Sequence, residues 1–257
     1  MLGLYDSGLG GLTVLAALRA AGIDADVVYF ADQAHLPYGE KSDATLHGFL
    51  QQNLALLAEL QVDAVVTACN TTCAVAERLG WPQTPFPVLD LIANAGAAFA
   101  GTPHRRIAVV ATVATIRSGA YGRAIRAAAP GLEVVEVAAP ALVPLVERGA
   151  AETGEARSAV EAVVAGLPAE IDALVYGCSH YPLLDRWFAR ALPERVVRID
   201  PAVAQAAAAQ RLIAARRFPS GAGTTTYYTN GDPQAFEAAV RRWTGDRTGK
   251  VAALVAQ

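Results

Sequence analysis

Two cysteines occupy the same position in two segments that resemble each other. Val62–Thr72 reads VDAVVTACNTT and Ile171–Tyr181 reads IDALVYGCSHY, with Cys69 and Cys178 in register. In each segment an apolar run typical of a buried strand leads to the cysteine. Ligands of open α/β sheets bind beyond the carboxyl ends of the strands. The pattern therefore predicts one thiol just past a strand end in each half of the chain, where a ligand would bind. If the two halves face each other, the two thiols face each other across a cleft.

Two thiols on opposite sides of a cleft are suited to proton transfer at carbon. One thiolate removes a proton, and the other thiol donates one from the opposite face. The Cα–H of an amino acid is a very weak acid, so the base must be a desolvated thiolate held close to it. Asp6 and His180 are candidates to assist the two thiols in gaining and losing their protons. Candidate donors to a carbanion or a carboxylate are the turn Ser7–Gly11, Asn70, Thr71 and Ser179.

These residues must be positioned by alternating strands and helices. Helices are predicted behind the capping residues Ser42 or Asp43, Thr153 and Asp232. The predicted strands are Leu2–Asp6, Asp26–Ala31, Val62–Ala68, Phe86–Leu91, Arg106–Thr112, Glu133–Ala138, Ile171–Gly177, Val196–Asp200 and Thr224–Thr229. This βαβα order predicts an α/β fold with mostly parallel sheets.

The composition excludes several classes of protein. The chain has 257 residues, of which 53% are hydrophobic and 18% charged, with a formal net charge of −3. Such a chain can bury a large core, and it lacks the basic face of a nucleic-acid-binding protein. No run reaches the roughly 20 apolar residues of a membrane span, and the N-terminal segment does not read as a signal peptide. We therefore expect a cytoplasmic protein with reduced cysteines and a small-molecule substrate, without nucleic-acid or membrane partners.

The sequence favours chemistry without a cofactor. The turn DSGLGG spaces its glycines too closely for a dinucleotide-binding motif. Lys41 and Lys250 are the only lysines, and the surroundings of Lys250 do not suggest a pyridoxal-phosphate site. Zinc ligands are conceivable at Cys69, Cys73, Cys178 and His180, but the C-x-x-C spacing is missing, so no metal site is predicted. Cys73 is expected in the core, one turn into a helix.

In these residues the chain resembles the glutamate racemases of the cofactor-independent aspartate/glutamate racemase superfamily, and the resemblance covers nearly its whole length. The segments that carry the resemblance are GLYDSGLGGLTVL (Gly3–Leu15), YFADQAHLPYGEKS (Tyr29–Ser42), VVTACNTTCA (Val65–Ala74), VVATVATIRSGAY (Val109–Tyr121), LVPLVERG (Leu142–Gly149) and YGCSHYPLL (Tyr176–Leu184). Two cysteine motifs, a D-S-G-x-G-G turn and a P-Y-G loop in this order form a specific set.

The resemblance implies a role for each matching residue. Cys69 and Cys178 correspond to the acid/base pair on opposite faces of Cα, and Asp6, His180 and Glu147 correspond to residues that assist them. The substrate-binding positions it implies are Asp6, Ser7, Tyr38, Gly39, Asn70, Thr71, Thr115, Ser179 and His180. Ser179 replaces the family's usual threonine, from which a mild effect is expected. Asp90–Ala98 stands where many members of the family carry an E-P-G segment.

The resemblance also implies the architecture. It predicts two similar, doubly wound α/β domains with the active site in the cleft between them. The first would combine residues 1–93 and 205–257, and the second would be 94–204. It further implies interconversion of L- and D-glutamate, supply of D-glutamate for peptidoglycan, and a homodimer.

Three alternatives remain open at this point. The nearest is a racemase that prefers aspartate or another acidic amino acid, because the two-cysteine motifs do not fix substrate length. A different class is a glutamate-binding regulatory protein with secondary racemase activity. The third is metal-dependent hydrolysis through the thiols.

Overall fold

Strands and helices alternate along the chain. The computed structural model describes residues 1–216, 218 and 221–254. Within them lie ten strands: β1 Leu2–Asp6, β2 Val27–Ala31, β3 Ala64–Thr67, β4 Val88–Leu89, β5 Arg106–Ala111, β6 Glu133–Ala138, β7 Ala173–Gly177, β8 Val197–Ile199, β9 Thr225–Thr229 and β10 Lys250–Ala253. The same residues form eleven α-helices: α1 Gly11–Ala20, α2 Asp43–Glu59, α3 Asn70–Leu79, α4 Leu91–Ala97, α5 Val113–Ser118, α6 Ala120–Ala128, α7 Leu142–Glu147, α8 Gly154–Ala165, α9 Asp185–Ala191, α10 Pro201–Arg216 and α11 Pro233–Thr244.

The strands form two sheets, and every strand pair in them is parallel. The first sheet has the order β10-β9-β2-β1-β3-β4, and the second has the order β6-β5-β7-β8. The predicted fold class is confirmed. In each sheet the strand that leads to a cysteine lies beside a central strand, β3 beside β1 and β7 beside β5. The carboxyl ends of these neighbouring strands therefore meet at one edge of each sheet.

Burial on both faces explains why the central strands are continuous apolar runs. All residues of β1, β3 and β7 are buried, and residues 107–111 of β5 are completely inaccessible to solvent. Helices pack on both faces of such sheets, so there is no polar face to produce an alternating pattern. The strand β6 lies at an edge and is half-buried to exposed, which agrees with its two glutamates.

The predicted helix starts are confirmed by their caps. Ser42 accepts a hydrogen bond from the backbone N–H of Thr45 at 3.2 Å, and α2 begins at the next residue. Thr153 caps α8 and Asp232 caps α11 in the same way. Each side chain satisfies an N–H group that the first helical turn leaves without a partner.

Several strands are one or two residues shorter at an end than predicted, and two features differ further from the predicted elements. The strand β10 was not predicted, because its residues KVAA have a weak strand signal and lie at the edge of the first sheet. The strand β4 stops at Leu89 because Asp90 caps α4, accepting the N–H of Ala93 at 3.0 Å. The segment that departs from the E-P-G pattern thus forms a helix.

The chain leaves the first sheet after β4 and returns to it with β9. The four strands between them form the second sheet, and α10 leads back. The domain boundaries at 93 and 205 remain a prediction, and residues 217, 219, 220 and 255–257 of the first predicted domain lie outside the described residues. In the part of the chain that the structure covers, no helix is long and apolar enough to cross a membrane.

Gln205 of α10 fixes the end of β3, two residues before Cys69. Its side chain is completely buried and donates to the carbonyls of Thr67 and Leu89 at 2.8 and 2.9 Å. Its own carbonyl accepts from Asn94 at 2.7 Å. Buried carbonyls that lose their donor cost free energy, so this side chain holds two strand ends in register.

We expect Gln205→Ala to lower the free energy of unfolding by about 1–3 kcal/mol, since the Thr67 carbonyl loses this donor and the Asn94 amide loses its acceptor, whereas the Leu89 carbonyl keeps the Thr67 hydroxyl at 2.6 Å. Urea denaturation measures the change. The matched control is Gln210→Ala on the same helix, because Gln210 is exposed and donates to Ala21. Equal losses in the two variants would contradict this role for Gln205.

Candidate active site

One cavity lies where the carboxyl edges of the two sheets meet. It holds about 550 Å³ of empty space, its opening included, and both Cys69 and Cys178 line it. The two cysteines are 3% and 5% exposed, so both thiols are largely shielded from bulk water. The lining residues are Ser7, Leu36, Pro37, Tyr38, Gly39, Glu40, Cys69, Asn70, Thr71, Thr112, Val113, Pro140, Val143, Pro144, Cys178, Ser179 and His180.

The cavity brings together most of the predicted site residues. Of those named from the sequence, Asp6, Glu147 and Thr115 are not part of its wall. Asp6 and Thr115 are completely buried directly behind it, and Glu147 contacts the back of His180. These three side chains can act only through the residues that line the cavity.

His180 links the Cys178 thiol to a carboxylate. The ring atom Nδ1 lies 3.7 Å from Cys178 Sγ, and Nε2 lies 2.5 Å from Glu147 Oε1. Burial alone would lower the pKa of His180, but its hydrogen bonds and charge interactions with Cys178 and Glu147 outweigh it. The pKa of His180 is therefore raised well above its ordinary value. Burial opposes ionisation of Glu147, yet hydrogen bonds and the charge of His180 lower the pKa of this carboxyl.

The glycine-rich turn of the first sheet lies against this pair. The N–H of Leu9 donates to Glu147 Oε1 at 2.8 Å, so the turn holds the carboxylate from the other sheet. A Cβ at Gly10 would lie 2.5 Å from His180 Nδ1 and 2.8 Å from its backbone N, and one at Gly8 would overlap Glu147 Oε1. The turn approaches the second sheet this closely only because these positions lack a side chain.

Cys69 has hydroxyl partners in place of an imidazole. It is the N-terminal cap residue of α3, and the side chains of Thr72 and Ser7 are close enough to its thiol to lower its pKa. Burial and the charge of Asp6 raise the pKa of Cys69 to about 12, while the two hydroxyls act in the opposite direction. The ionised form of this thiol therefore depends on the few donors around it.

Asp6 connects the two halves of the site. Its carboxylate accepts from the N–H of Gly8 and from the hydroxyl of Ser179, each at 3.0 Å. Burial raises the pKa of Asp6, although His180 and the donated hydrogen bonds partly offset this. A carboxyl with a raised pKa beside a thiol is suited to take up and return a proton.

Asn70 presents an unpaired donor in the cavity wall. Tyr121 donates to its carbonyl oxygen at 2.5 Å, which orients the amide. The amide nitrogen of Asn70 is buried without a hydrogen-bond partner, and its residue is 3% exposed. A buried unpaired donor is costly unless a ligand accepts from it. This nitrogen is therefore suited to a carboxylate bound in the cavity.

Three threonine hydroxyls lie behind and beside Asn70. Thr71 lies 2.9 Å from Thr112 and 3.3 Å from Thr115, and Thr112 lies 3.0 Å from Thr115. Thr71 and Thr112 line the cavity, whereas Thr115 supports them from behind. Sequence reasoning missed Thr112, although it directly follows β5 just as Cys178 follows β7.

A second polar group lies behind Tyr38 and was also missed. The Tyr38 hydroxyl donates to Asp32, which is completely buried. Asn53 donates to Asp32 and to the Tyr5 hydroxyl, each at 3.0 Å. The available signal was the position of Asp32 directly after β2, because polar residues that follow parallel strands collect at one edge.

Cys73 does not belong to the site. It is completely buried in α3, with its sulfur 3.1 Å from the Thr67 hydroxyl, and the prediction that it packs in the core is confirmed. Among the described residues, no group of three or more His, Cys, Asp or Glu side chains is arranged to hold a metal ion.

We expect Glu147→Gln to lower the pKa of His180, because the neutral amide no longer favours the imidazolium. An NMR titration of the histidine side chains measures this shift. Glu155→Gln is the matched control, since Glu155 forms an exposed ion pair with Arg148. An unchanged His180 titration in Glu147→Gln would contradict the assigned ion pair.

Comparisons with known proteins agree in pointing to one family. A sequence model of the family described as Asp/Glu/Hydantoin racemase matches residues 13–209. A protein named glutamate racemase from Gloeobacter violaceus is 42% identical, over 95% of this chain and 92% of its own length.

Solved structures give the same result. Glutamate racemase isoform RacE1 from Bacillus anthracis superposes with a TM-score of 0.91 at 28% identity, covering 99% of this chain and 97% of its own. Glutamate racemase from Francisella tularensis, solved in complex with D-glutamate, gives a TM-score of 0.87 at 27% identity, covering 100% and 97%. The chain therefore belongs to the Asp/Glu/hydantoin racemase family of isomerases.

Proposed function

We propose that this protein interconverts L- and D-glutamate by two-base proton transfer at Cα, without a cofactor, using Cys69 and Cys178. The observation that carries the proposal is the single buried cavity lined by both thiols, one from each sheet, each with its own proton partners. The similarity to proteins named glutamate racemase over nearly the whole chain supports glutamate as the substrate.

On the side of the second sheet, His180 assists Cys178 in gaining and losing its proton. The imidazolium donates toward the sulfur through Nδ1 and toward Glu147 through Nε2, so the thiolate forms next to a positive charge. When the thiolate takes the α-proton, the Glu147 carboxylate keeps the imidazole oriented for the return step.

On the first-sheet side, Asp6 and the hydroxyls of Ser7 and Thr72 serve Cys69. The raised pKa of Asp6 suits it to exchange a proton with the thiol while staying buried. One thiolate removes the α-proton and the other thiol delivers a proton to the opposite face. The charge moves from one thiolate through the substrate carbanion to the other sulfur, and the roles exchange in the reverse direction.

Substrate carboxylates are held by donors in the cavity wall. Asn70 offers its unpaired amide nitrogen and Thr71 its hydroxyl, and Ser7 and Ser179 line the same cavity, where the Ser179 hydroxyl donates to Asp6. Tyr38 and Gly39 line the cavity from the segment before α2, where Gly39 lies against Thr112, whereas Thr115 supports Thr71 from behind.

We also infer the setting of this activity. The thiols act only when reduced, which favours the cytoplasm. Each of the two predicted domains carries one of the thiols. Residues 1–93 with 205–257 carry Cys69, and residues 94–204 carry Cys178. A homodimer and the supply of D-glutamate for peptidoglycan belong to the same proposal.

Incubation of the purified protein with L-glutamate in D2O, without pyridoxal phosphate, tests the activity. We expect D-glutamate with deuterium at Cα, read by chiral chromatography and NMR. Cys69→Ser and Cys178→Ser should each reduce racemisation by at least about a thousandfold, because a serine hydroxyl is a far weaker acid than a thiol.

Cys73→Ser is the matched control, because this third cysteine lies in the core and its loss should leave turnover largely intact. L-aspartate is assayed beside L-glutamate. Turnover of aspartate alone would replace the substrate assignment, and the absence of both product and exchange from folded protein would refute the racemase.

Asn70→Ala should raise KM for glutamate by about tenfold or more and change kcat less, because the donor binds a carboxylate present in every bound state. Tyr121→Phe is the companion variant. It keeps the amide and removes only the hydrogen bond that orients it, so we expect a smaller rise in KM. An unchanged KM in Asn70→Ala would exclude this contact.

A further inference from the structure

Gln33 reaches from the first sheet to Glu147, the carboxylate that holds His180. It begins the short turn that follows β2, and its amide nitrogen Nε2 lies 3.3 Å from Glu147 Oε2. The other oxygen, Oε1, is bonded to His180 Nε2 at 2.5 Å and to the N–H of Leu9 at 2.8 Å. Among the described residues, Gln33 is the only hydrogen-bond donor to Oε2. The proposed mechanism gives this side chain no role.

The Thr229 hydroxyl decides which way the Gln33 amide points. It accepts from the N–H of Gly231 at 3.0 Å and donates to Gln33 Oε1 at 2.9 Å. A glutamine amide has one accepting end and one donating end, so its NH2 group faces Glu147. A reversed amide would place its oxygen against the oxygen of the carboxylate. The amide is therefore oriented as a donor to Glu147.

The pairing of β9 with β2 brings Thr229 to this position. Thr229 is the register partner of Ala31 at the end of β2, and it is completely buried. Two residues further on, Gly231 packs so closely on Gln33 that a Cβ at Gly231 would lie 2.8 Å from Gln33 Cβ. The side chain of Gln33 is thus held in place by the end of β9.

We propose that Gln33, oriented by Thr229, is a positioning residue for Glu147. Through this carboxylate it acts on His180 and Cys178. Gln33 does not line the cavity that holds the two thiols, so it does not touch a substrate there. It fixes the plane of the carboxylate, because the terminal torsion of a glutamate side chain has no sharp preference of its own. This inference rests on the proposed two-thiol function.

The surroundings of Glu147 offer few other ways to hold this oxygen. The titratable groups around the carboxylate are His180, Tyr29, Arg148 and Arg242. The two arginines form ion pairs with Glu155 and Glu152 instead. Burial raises the pKa of Glu147, but the bonds from His180, Leu9 and Gln33 and the charge of His180 outweigh it and lower the pKa. Loss of the Gln33 donor should therefore raise this pKa.

A carbon-13 NMR titration of the Glu147 carboxyl, assigned with Glu147→Gln, tests the contact without requiring turnover. Gln33→Met keeps the length of the side chain and removes the amide, so the pKa of Glu147 should rise. Thr229→Val removes only the orienting hydroxyl and should raise it less. Gln210→Met is the matched control, since Gln210 is exposed and donates to the carbonyl of Ala21. An unchanged Glu147 titration in both Gln33→Met and Thr229→Val would overturn the proposal.

Racemisation gives a second readout. Gln33→Met should lower kcat by about tenfold and change KM little, because a hydrogen bond to a charged group is lost outside the cavity. Thr229→Val should cause a smaller loss of the same kind, and Thr229→Ser, which keeps the hydroxyl, should restore kcat. In a Glu147→Gln background, Gln33→Met should have little further effect, because it acts only through the carboxylate.

Deuterium isotope effects on kcat/KM assign the loss to one of the two thiols. Because racemisation has an equilibrium constant of one, kcat/KM must fall equally in both directions. The isotope effects of the two α-deuterated enantiomers should shift in opposite directions in Gln33→Met, and in the same sense as in Glu147→Gln. A full additional loss of kcat in the Glu147→Gln background would contradict the positioning role. Absent turnover in the unaltered protein would overturn the racemase proposal instead, and the carboxyl titration would still decide on Gln33.

Discussion

The burial of two thiols that must carry negative charge in turn is the constraint on which the rest of the structure depends. A thiolate strong enough to remove an α-proton has to be shielded from water, yet the same shielding opposes its ionisation. Both cysteines are almost inaccessible to solvent. The site must therefore supply local donors to each sulfur and keep the donors oriented through every change of charge.

The two sides meet this constraint differently. Cys178 lies beside a histidine that a carboxylate from α7 and a backbone N–H from the glycine-rich turn hold in place. Cys69 lies at the start of α3 among neutral hydroxyls, with Asp6 as the nearby charge. The Ser179 hydroxyl donates to Asp6 across the boundary between the sheets, so the proton partners of the two thiols are physically joined. The glycines of the turn allow this contact, because any side chain at Gly8 or Gly10 would collide with Glu147 or His180.

The sequence allowed much of this arrangement to be predicted. The in-register repeat around Cys69 and Cys178 placed both cysteines just past strand ends, and the caps Ser42, Thr153 and Asp232 marked helix starts, because these are local signals. The resemblance to a racemase family supplied Glu147, which the spacing of the residues could not.

Other features depend on distant parts of the chain and were missed. The pairing of β10 with β9 is decided by the open edge of the first sheet, since KVAA itself favours no strand strongly. The contacts of Asp32 with Tyr38, Asn53 and Asn230 join three segments of the chain, so the position of Asp32 after β2 could not reveal its partners. Thr112 was overlooked in favour of Thr115, although both lie in one segment, because only the folded strand shows which threonine reaches the cavity.

A single turnover in D2O tests the central claim most directly. L-glutamate is mixed with an excess of enzyme, and the α-position of both enantiomers is read by NMR before a second turnover. Two thiols acting on opposite faces predict D-glutamate that carries deuterium from its first appearance, while the remaining L-glutamate keeps its α-hydrogen. D-glutamate that retains the original hydrogen would show that one base serves both faces, and would contradict the account.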